Sequence, residues 1–159
     1  MNHLFLHCRA GFEKECAAEI TDLAAEVGVY GYSKTKDNSA YVVFISHDPK
    51  GAMQVHEQIR FRKLIFARQW FVTQAPISNL PVNDRVTPLV AAAETFPVAR
   101  ELLIETVDTN DGKELSGLSK KFAAPFSNAL KKSQLLNPKS PWRLHLVFIT
   151  GTEAYIGVS

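Results

Sequence analysis

Cysteine is nearly missing from this chain: Cys8 and Cys16 are the only two among 159 residues. Two thiols fit a reducing compartment better than a secreted disulfide scaffold, so a cytoplasmic setting is expected. Neither cysteine belongs to a Cys-x-x-Cys pair. The five histidines, His3, His7, His47, His56 and His145, form no His-Glu-x-x-His pattern, so no metal site is expected. Glycine is sparse too, with eight residues and no phosphate-cradling cluster between a strand and a helix. No apolar run approaches the roughly 20 residues that span a bilayer. The N-terminus, MNHLFLHCRAGFEKE, has no basic leader and turns charged at once, unlike a signal peptide. No catalytic residue and no cofactor are therefore expected within these residues.

The most telling scarcity is of acid in one stretch. Between Lys120 and Arg143 there is no Asp or Glu. From Lys113 to His145 the chain holds seven Lys or Arg and one acid, a formal +6. The other 126 residues hold eleven bases and fifteen acids, a formal −4. A chain of net charge +2 has gathered its positive charge in one segment, as a surface for a polyanion would, nucleic acid above all.

The patterning is that of an α+β protein. His3 to Arg9 is a short apolar strand. Gly11 to Gly28 carries Phe12, Cys16, Ile20, Leu23 and Val27 at helical spacing and ends at a glycine. Val29 to Thr35 and Ala40 to Ser46 alternate as strands around the turn formers Lys36-Asp37-Asn38-Ser39. Gly51 to Ile59 is helical and Leu64 to Thr73 a further strand. This is the β-α-β-β-α-β order of a ferredoxin-like subdomain, residues 1–75. Residues 76–83, with Pro76, Pro81 and turn formers between them, form the expected linker. The second half, 84–159, reads α-β-α-β-β: a helix from Asp84 to Phe96, a strand at 102–107, a helix over 113–136 kinked at Pro125, and strands at 142–150 and 154–158.

On a helical wheel with Lys120 at zero, Lys113 and Lys131 fall near 20°, with Lys121 and Lys132 near 100° and 120°. Leu115, Phe122, Phe126, Ala129 and Leu130 fall between about 180° and 280°. One side is apolar and the other a lysine strip, continued by Lys139 and Arg143. Each lysine that meets a phosphate releases condensed counterion, which gives salt-dependent and largely sequence-independent affinity. A merely solvated helix face is the alternative, although such faces usually mix both charge signs.

Two lesser patterns remain. Arg9-Ala10-Gly11, between the first strand and first helix, has the residues of an anion loop like that of a small acyl-phosphate hydrolase. Glu13 and Glu15 in the first turn already occupy the positive end of the helix dipole. A second basic cluster, Arg60, Arg62, Lys63 and Arg68, is interleaved with Phe61, Phe66, Trp70 and Phe71. Exposed aromatics there would stack bases, whereas strand aromatics ordinarily face the core.

The segments CRAGFEKECAAEI (Cys8 to Ile20), LIFARQWF (Leu64 to Phe71), DRVTP (Asp84 to Pro88), VDTNDGKEL (Val107 to Leu115) and KKFAAP (Lys120 to Pro125) carry a resemblance. They resemble the N-terminal part of the RlmM family, bacterial 23S ribosomal RNA cytidine 2′-O-ribose methyltransferases. Ala10 departs from the family pattern, which has proline at that turn. The resemblance implies a ferredoxin-like subdomain followed by a THUMP domain, an RNA-binding module. It implies 23S ribosomal RNA as partner, and a C-terminal Rossmann-like domain, not within these residues, that binds S-adenosylmethionine and performs the methyl transfer. It carries Asn110, Lys113, Lys120 and Lys121 over as RNA contacts. Lys131, Lys132, Lys139 and Arg143 rest on charge alone, and Arg60, Arg62 and Lys63 form a secondary candidate site. The expected function is to capture ribosomal RNA as a monomer and position it for methylation. The rival is a protein-interaction or regulatory α+β module without nucleic-acid binding.

Overall fold

The computed structural model describes residues 1–159 throughout. The chain divides into two compact units, Met1–Gln74 with Val107–Thr109, and Ala75–Thr106 with Asn110–Ser159.

The first unit has the order β1 (His3–Cys8), α1 (Glu13–Glu26), β2 (Gly31–Thr35), β3 (Tyr41–Ser46), α2 (Gly51–Gln58), a 3₁₀ turn (Phe61–Lys63) and β4 (Ala67–Thr73). Its strands lie side by side as β2-β3-β1-β4, each pair antiparallel. This is the arrangement the alternation and helical periodicity imply. Helix α1 buries Cys16, Ile20 and Ala24, four residues apart and therefore on one face. They pack with Leu4, Leu6, Val42, Phe44, Val55 and Trp70 in one core. Gly28 takes φ +81° to end α1, a conformation that costs glycine little. Gly31 admits no side chain, because a Cβ would lie 2.1 Å from the Ile45 carbonyl oxygen across the ladder.

The second unit contains α3 (Val86–Ala93), β5 (Glu101–Glu105), α4 (Asn110–Glu114), α5 (Ser116–Lys132), β6 (Arg143–Thr150) and β7 (Glu153–Val158). β6 and β7 form an antiparallel hairpin, and β5 runs parallel to β6 with its other edge unpaired. Residues 76–83 are fixed in this unit. Ile77 exchanges backbone hydrogen bonds with Ala154, and the Leu80 N–H donates to the Thr152 carbonyl. The Arg85 guanidinium reaches the Gly151 carbonyl at 2.8 Å. The Asp84 carboxylate accepts the Thr87 N–H at 3.1 Å and so caps α3. The core comprises Leu89, Phe126, Leu130, Leu144, Leu146 and Phe148, all nearly inaccessible. Phe122 joins it, edge-on to Phe148 and stacked on Phe126.

Two expectations need correction. The single helix over 113–136 is two helices. The Leu115 N–H is shared between the Asp111 and Gly112 carbonyls, and the Ser116 hydroxyl takes the Lys113 carbonyl at 2.7 Å. Those bonds mark the boundary between α4 and α5 at Leu115. Pro125, in contrast, neither ends nor restarts α5, which is continuous to Lys132. Lys121 and Pro125 are both exposed, so the carbonyl left without its usual donor lies on the solvent side.

Candidate nucleic-acid interface

α5 contains no acidic residue. It sinks Ser119, Phe122, Phe126 and Leu130 into the second unit and leaves Lys120, Lys121, Lys131 and Lys132 exposed. The wheel thus separated the faces correctly for α5. The break at Leu115 places Lys113 outside that wheel, on α4, where it is exposed together with Asn110 at the helix start.

The four α5 lysines form two lines. Lys120 and Lys131 rim a groove of about 610 Å³ between α5 and β5. Eleven residues of helix separate them by about 16 Å. Leu102 and Ile104 form the β5 wall, and Ser116, Ala123 and Ser127 the helix wall, while Arg100 adds a third cation. Small helix residues leave room for a bulky group. Lys132 instead borders a second depression of about 350 Å³ against α3, beside Val86, Val90 and Glu94. None of the ion pairs in the structure uses a lysine of this segment.

Arg143 differs from the lysines. Its Nε lies 2.9 Å from the Glu101 carboxylate, which also sits 3.9 Å from Arg100. Part of its charge is already compensated. Lys139 is exposed in the α5–β6 loop, its N–H held by the Asn137 side chain at 3.0 Å.

Sequence reasoning missed what holds the groove's strand wall. His145 is fully buried on β6. Its Nδ1 lies 2.5 Å from Glu105 at the end of β5, and its Nε2 lies 2.6 Å from the Ser159 hydroxyl just after β7. One imidazole therefore ties three adjacent strands together. A lone histidine in an apolar strand gave no sign of this, because its partners lie far off in sequence.

In the first unit, Arg60, Arg62 and Lys63 are exposed around the 3₁₀ turn. Of the interleaved aromatics, Trp70 and Phe71 are core residues and Phe61 packs on Trp70 with ring centroids 5.5 Å apart. Phe66, half-buried against the same core, stacks at 5.9 Å on Phe12, which the helical spacing placed on the apolar stripe of α1 and which is exposed.

The loop Arg9-Ala10-Gly11 already holds an anion of its own. Glu13 is buried, and its carboxylate accepts N–H bonds from Gly11, Asn38 and Ala40 at 2.9–3.2 Å. Burial pushes this carboxyl up. The backbone donors, those of Asn38 and Ala40 foremost, outweigh that and hold it below the ordinary carboxylate value. Cys8 and Cys16 are both buried. Their mutual hydrogen bond pulls the Cys8 thiol down and pushes Cys16 up. No group of three or more His, Cys, Asp or Glu side chains is placed to hold a metal ion, and no helix is long and apolar enough to cross a membrane.

Comparison with known proteins bears on both units. Residues 1–71 match the RlmM ferredoxin-like domain. Residues 84–159 match the N-terminal model of Ribosomal RNA large subunit methyltransferase M. The whole chain is 62% identical to the protein of that name from Cellvibrio japonicus and 48% identical to that from Shewanella oneidensis. It spans 45% of the length of each. Among solved structures, TrmN from Thermus thermophilus superposes with TM-score 0.59 at 16% identity, over 99% of this chain and 45% of that one. A possible methylase from Clostridium difficile superposes with TM-score 0.53 at 20% identity, over 99% and 40%. At those identities the likeness is one of fold.

Proposed function

The chain belongs to the RlmM family of ribosomal RNA large subunit methyltransferases, and from that premise we propose that it captures 23S ribosomal RNA for methylation of a cytidine ribose. Residues 1–75 act as the ferredoxin-like subdomain and 84–159 as a THUMP RNA-binding domain, with 76–83 between them. In this reading the protein works in the cytoplasm as a monomer. S-adenosylmethionine binding and methyl transfer belong to the remaining length of the longer relatives. The observation that carries the proposal is α5, an acid-free helix with four exposed lysines in two lines.

RNA phosphates lie along those lines, Lys120 and Lys131 on the groove side and Lys121 and Lys132 on the other. Asn110, Lys113 and Lys139 extend the contact at the two ends. Arg143 joins by exchanging Glu101 for a phosphate. Such contacts fix position and register rather than base sequence, and double-stranded RNA in particular is recognised by shape.

The test is a titration of a 23S ribosomal RNA fragment at several salt concentrations, with wild type and a Lys121→Glu, Lys132→Glu double variant. Affinity drops in the variant, and its log–log salt slope flattens by about 0.7–0.9 per lost phosphate contact. Both lysines are exposed, so folding stability stays within about 0.5 kcal/mol. Equal affinity and equal slope would reduce the strip to a solvated surface and remove the basis of the proposal.

A further inference from the structure

The first unit carries an aromatic and aliphatic tip on a braced backbone with exposed cations on the adjoining segments, and we infer that it takes unpaired RNA nucleobases at a second contact, resting on the RNA-capture reading above. The tip is built where β1 ends and β4 begins. The β1–β4 register ends on the pair Cys8 and Ala67, one residue before Arg9 on one strand and one residue after Phe66 on the other. Phe12, 39% exposed at the N-terminus of α1, stacks on the Phe66 ring at 5.9 Å with 21° between the planes. The Arg9 guanidinium lies 5.8 Å from the Phe12 ring centroid. Beside them Ile65 is 82% exposed.

An aliphatic side chain so exposed is ordinarily mobile. Here both oxygens of the Glu19 carboxylate, on α1, accept the successive N–H groups of Ile65 and Phe66 at 2.5 and 3.1 Å. One carboxylate therefore clamps the backbone that presents the tip. A clamped backbone has already lost part of the freedom that binding would otherwise remove. Exposed apolar surface held in place is also the mark of a contact site.

The surrounding charge identifies the occupant. Arg60, Arg62 and Lys63 stand exposed in the turn just before Ile65. Arg68 follows on β4, paired with Asp108 at 2.9 Å in an exposed ion pair that a phosphate can exchange. Two acids of α1 close to the tip, Glu13 and Glu19, are engaged with backbone N–H groups, and Glu15 is the exposed acid of the same first turn. Aromatic faces with a guanidinium against one of them, and exposed cations in the adjoining turn and strand, match a nucleobase attached to a phosphate chain. An apolar protein partner would give those cations nothing to neutralise. A duplex end offers only the outer face of its last pair, whereas an unpaired base offers both faces and its edges. The occupant is thus a single-stranded segment or splayed loop next to the structured RNA that α5 holds.

The experiment uses the whole 159-residue chain and two fluorescent RNA hairpins of identical stem, each closed by the same compact tetraloop with its bases stacked inward, one blunt and one with a single-stranded uridine tail carrying 4-thiouridine. The variants are Phe12→Ala and Ile65→Ser, both at exposed positions. Each lowers affinity for the tailed hairpin by about tenfold, the scale of one lost stacked base, and leaves the blunt hairpin unchanged. Photocrosslinks from the tail fall on residues 9–12 and 62–68 in wild type and vanish in the variants. The Lys121→Glu, Lys132→Glu variant weakens both hairpins, which separates failure of this site from failure of the lysine surface. The inference falls if the two hairpins weaken together or not at all. It falls equally if the variants change only the sedimentation of the chain, the tip then being a protein contact.

Discussion

Glu13 shows how much one side chain can carry. It lies in the first turn of α1, where a carboxylate is favoured by the helix dipole, and it also closes the β2–β3 turn from a distance. Its folded acidity is stronger than that of the unfolded residue. The stabilisation is therefore present above the ordinary carboxylate range and is lost as pH falls through the folded value. Glu13→Gln keeps one acceptor oxygen but turns an amide against backbone donors. It should cost about 1–3 kcal/mol at neutral pH, the usual penalty for buried groups left unmatched. It should also flatten the acid limb of the stability curve. Urea midpoints measured from pH 7 down to pH 3 would show this, and parallel curves for wild type and variant would refute it.

Among the elements, α5 is held by its aromatic face rather than by ideal backbone. Phe126 is fully buried against Phe122, so Phe126→Ala should destabilise by about 3–5 kcal/mol. Pro125→Ala restores a missing helical hydrogen bond on the exposed side. It should stabilise by about 1–3 kcal/mol, less than the full interior penalty because proline also stiffens the unfolded chain. Denaturant titration reads both, and a destabilised Pro125→Ala would mean that the helix bends functionally at that point. The register of α5 was legible in the sequence because Phe122, Phe126 and Leu130 recur at helical spacing opposite the lysines. The α4–α5 break was not, since it depends on Ser116 capturing a carbonyl that helical periodicity ignores. The groove was equally hidden. Its helix wall and its β5 wall come from separate stretches, joined only when β5 pairs with β6. The Phe12–Phe66 stack is another product of tertiary register, which no local pattern contains.

At the level of the whole molecule, the β-α-β-β-α-β order and the α+β class were readable from alternation, helical stripes and turn residues. The charge partition was readable from counting. What counting could not reveal is that Arg143 is matched by Glu101 while the α5 lysines have no such partner, a distinction set by the parallel register that places Glu101 opposite Arg143. The chain should show no stoichiometric affinity for S-adenosylmethionine, because it lacks a glycine-rich turn between a strand and a helix with an acidic strand end beyond it. Isothermal calorimetry tests this directly, and a saturable heat near one equivalent would overturn it.

The carboxylate nest around Glu13 also constrains the order in which this sequence can change. Ala40 sits at φ +63° and Asn38 at φ +61°, and for alanine that conformation costs about 1–2 kcal/mol. The Ala40 N–H is fixed in that pose by Glu13. The two positions therefore share one hydrogen bond, and the order of their changes sets the stability of the intermediate. Losing Glu13 first leaves a strained alanine without its tether, whereas Ala40→Gly first removes the strain, so that the loss of Glu13 then starts from a less strained turn. One mutational path is open and the other passes through a weakened protein, although both arrive at the same pair of residues.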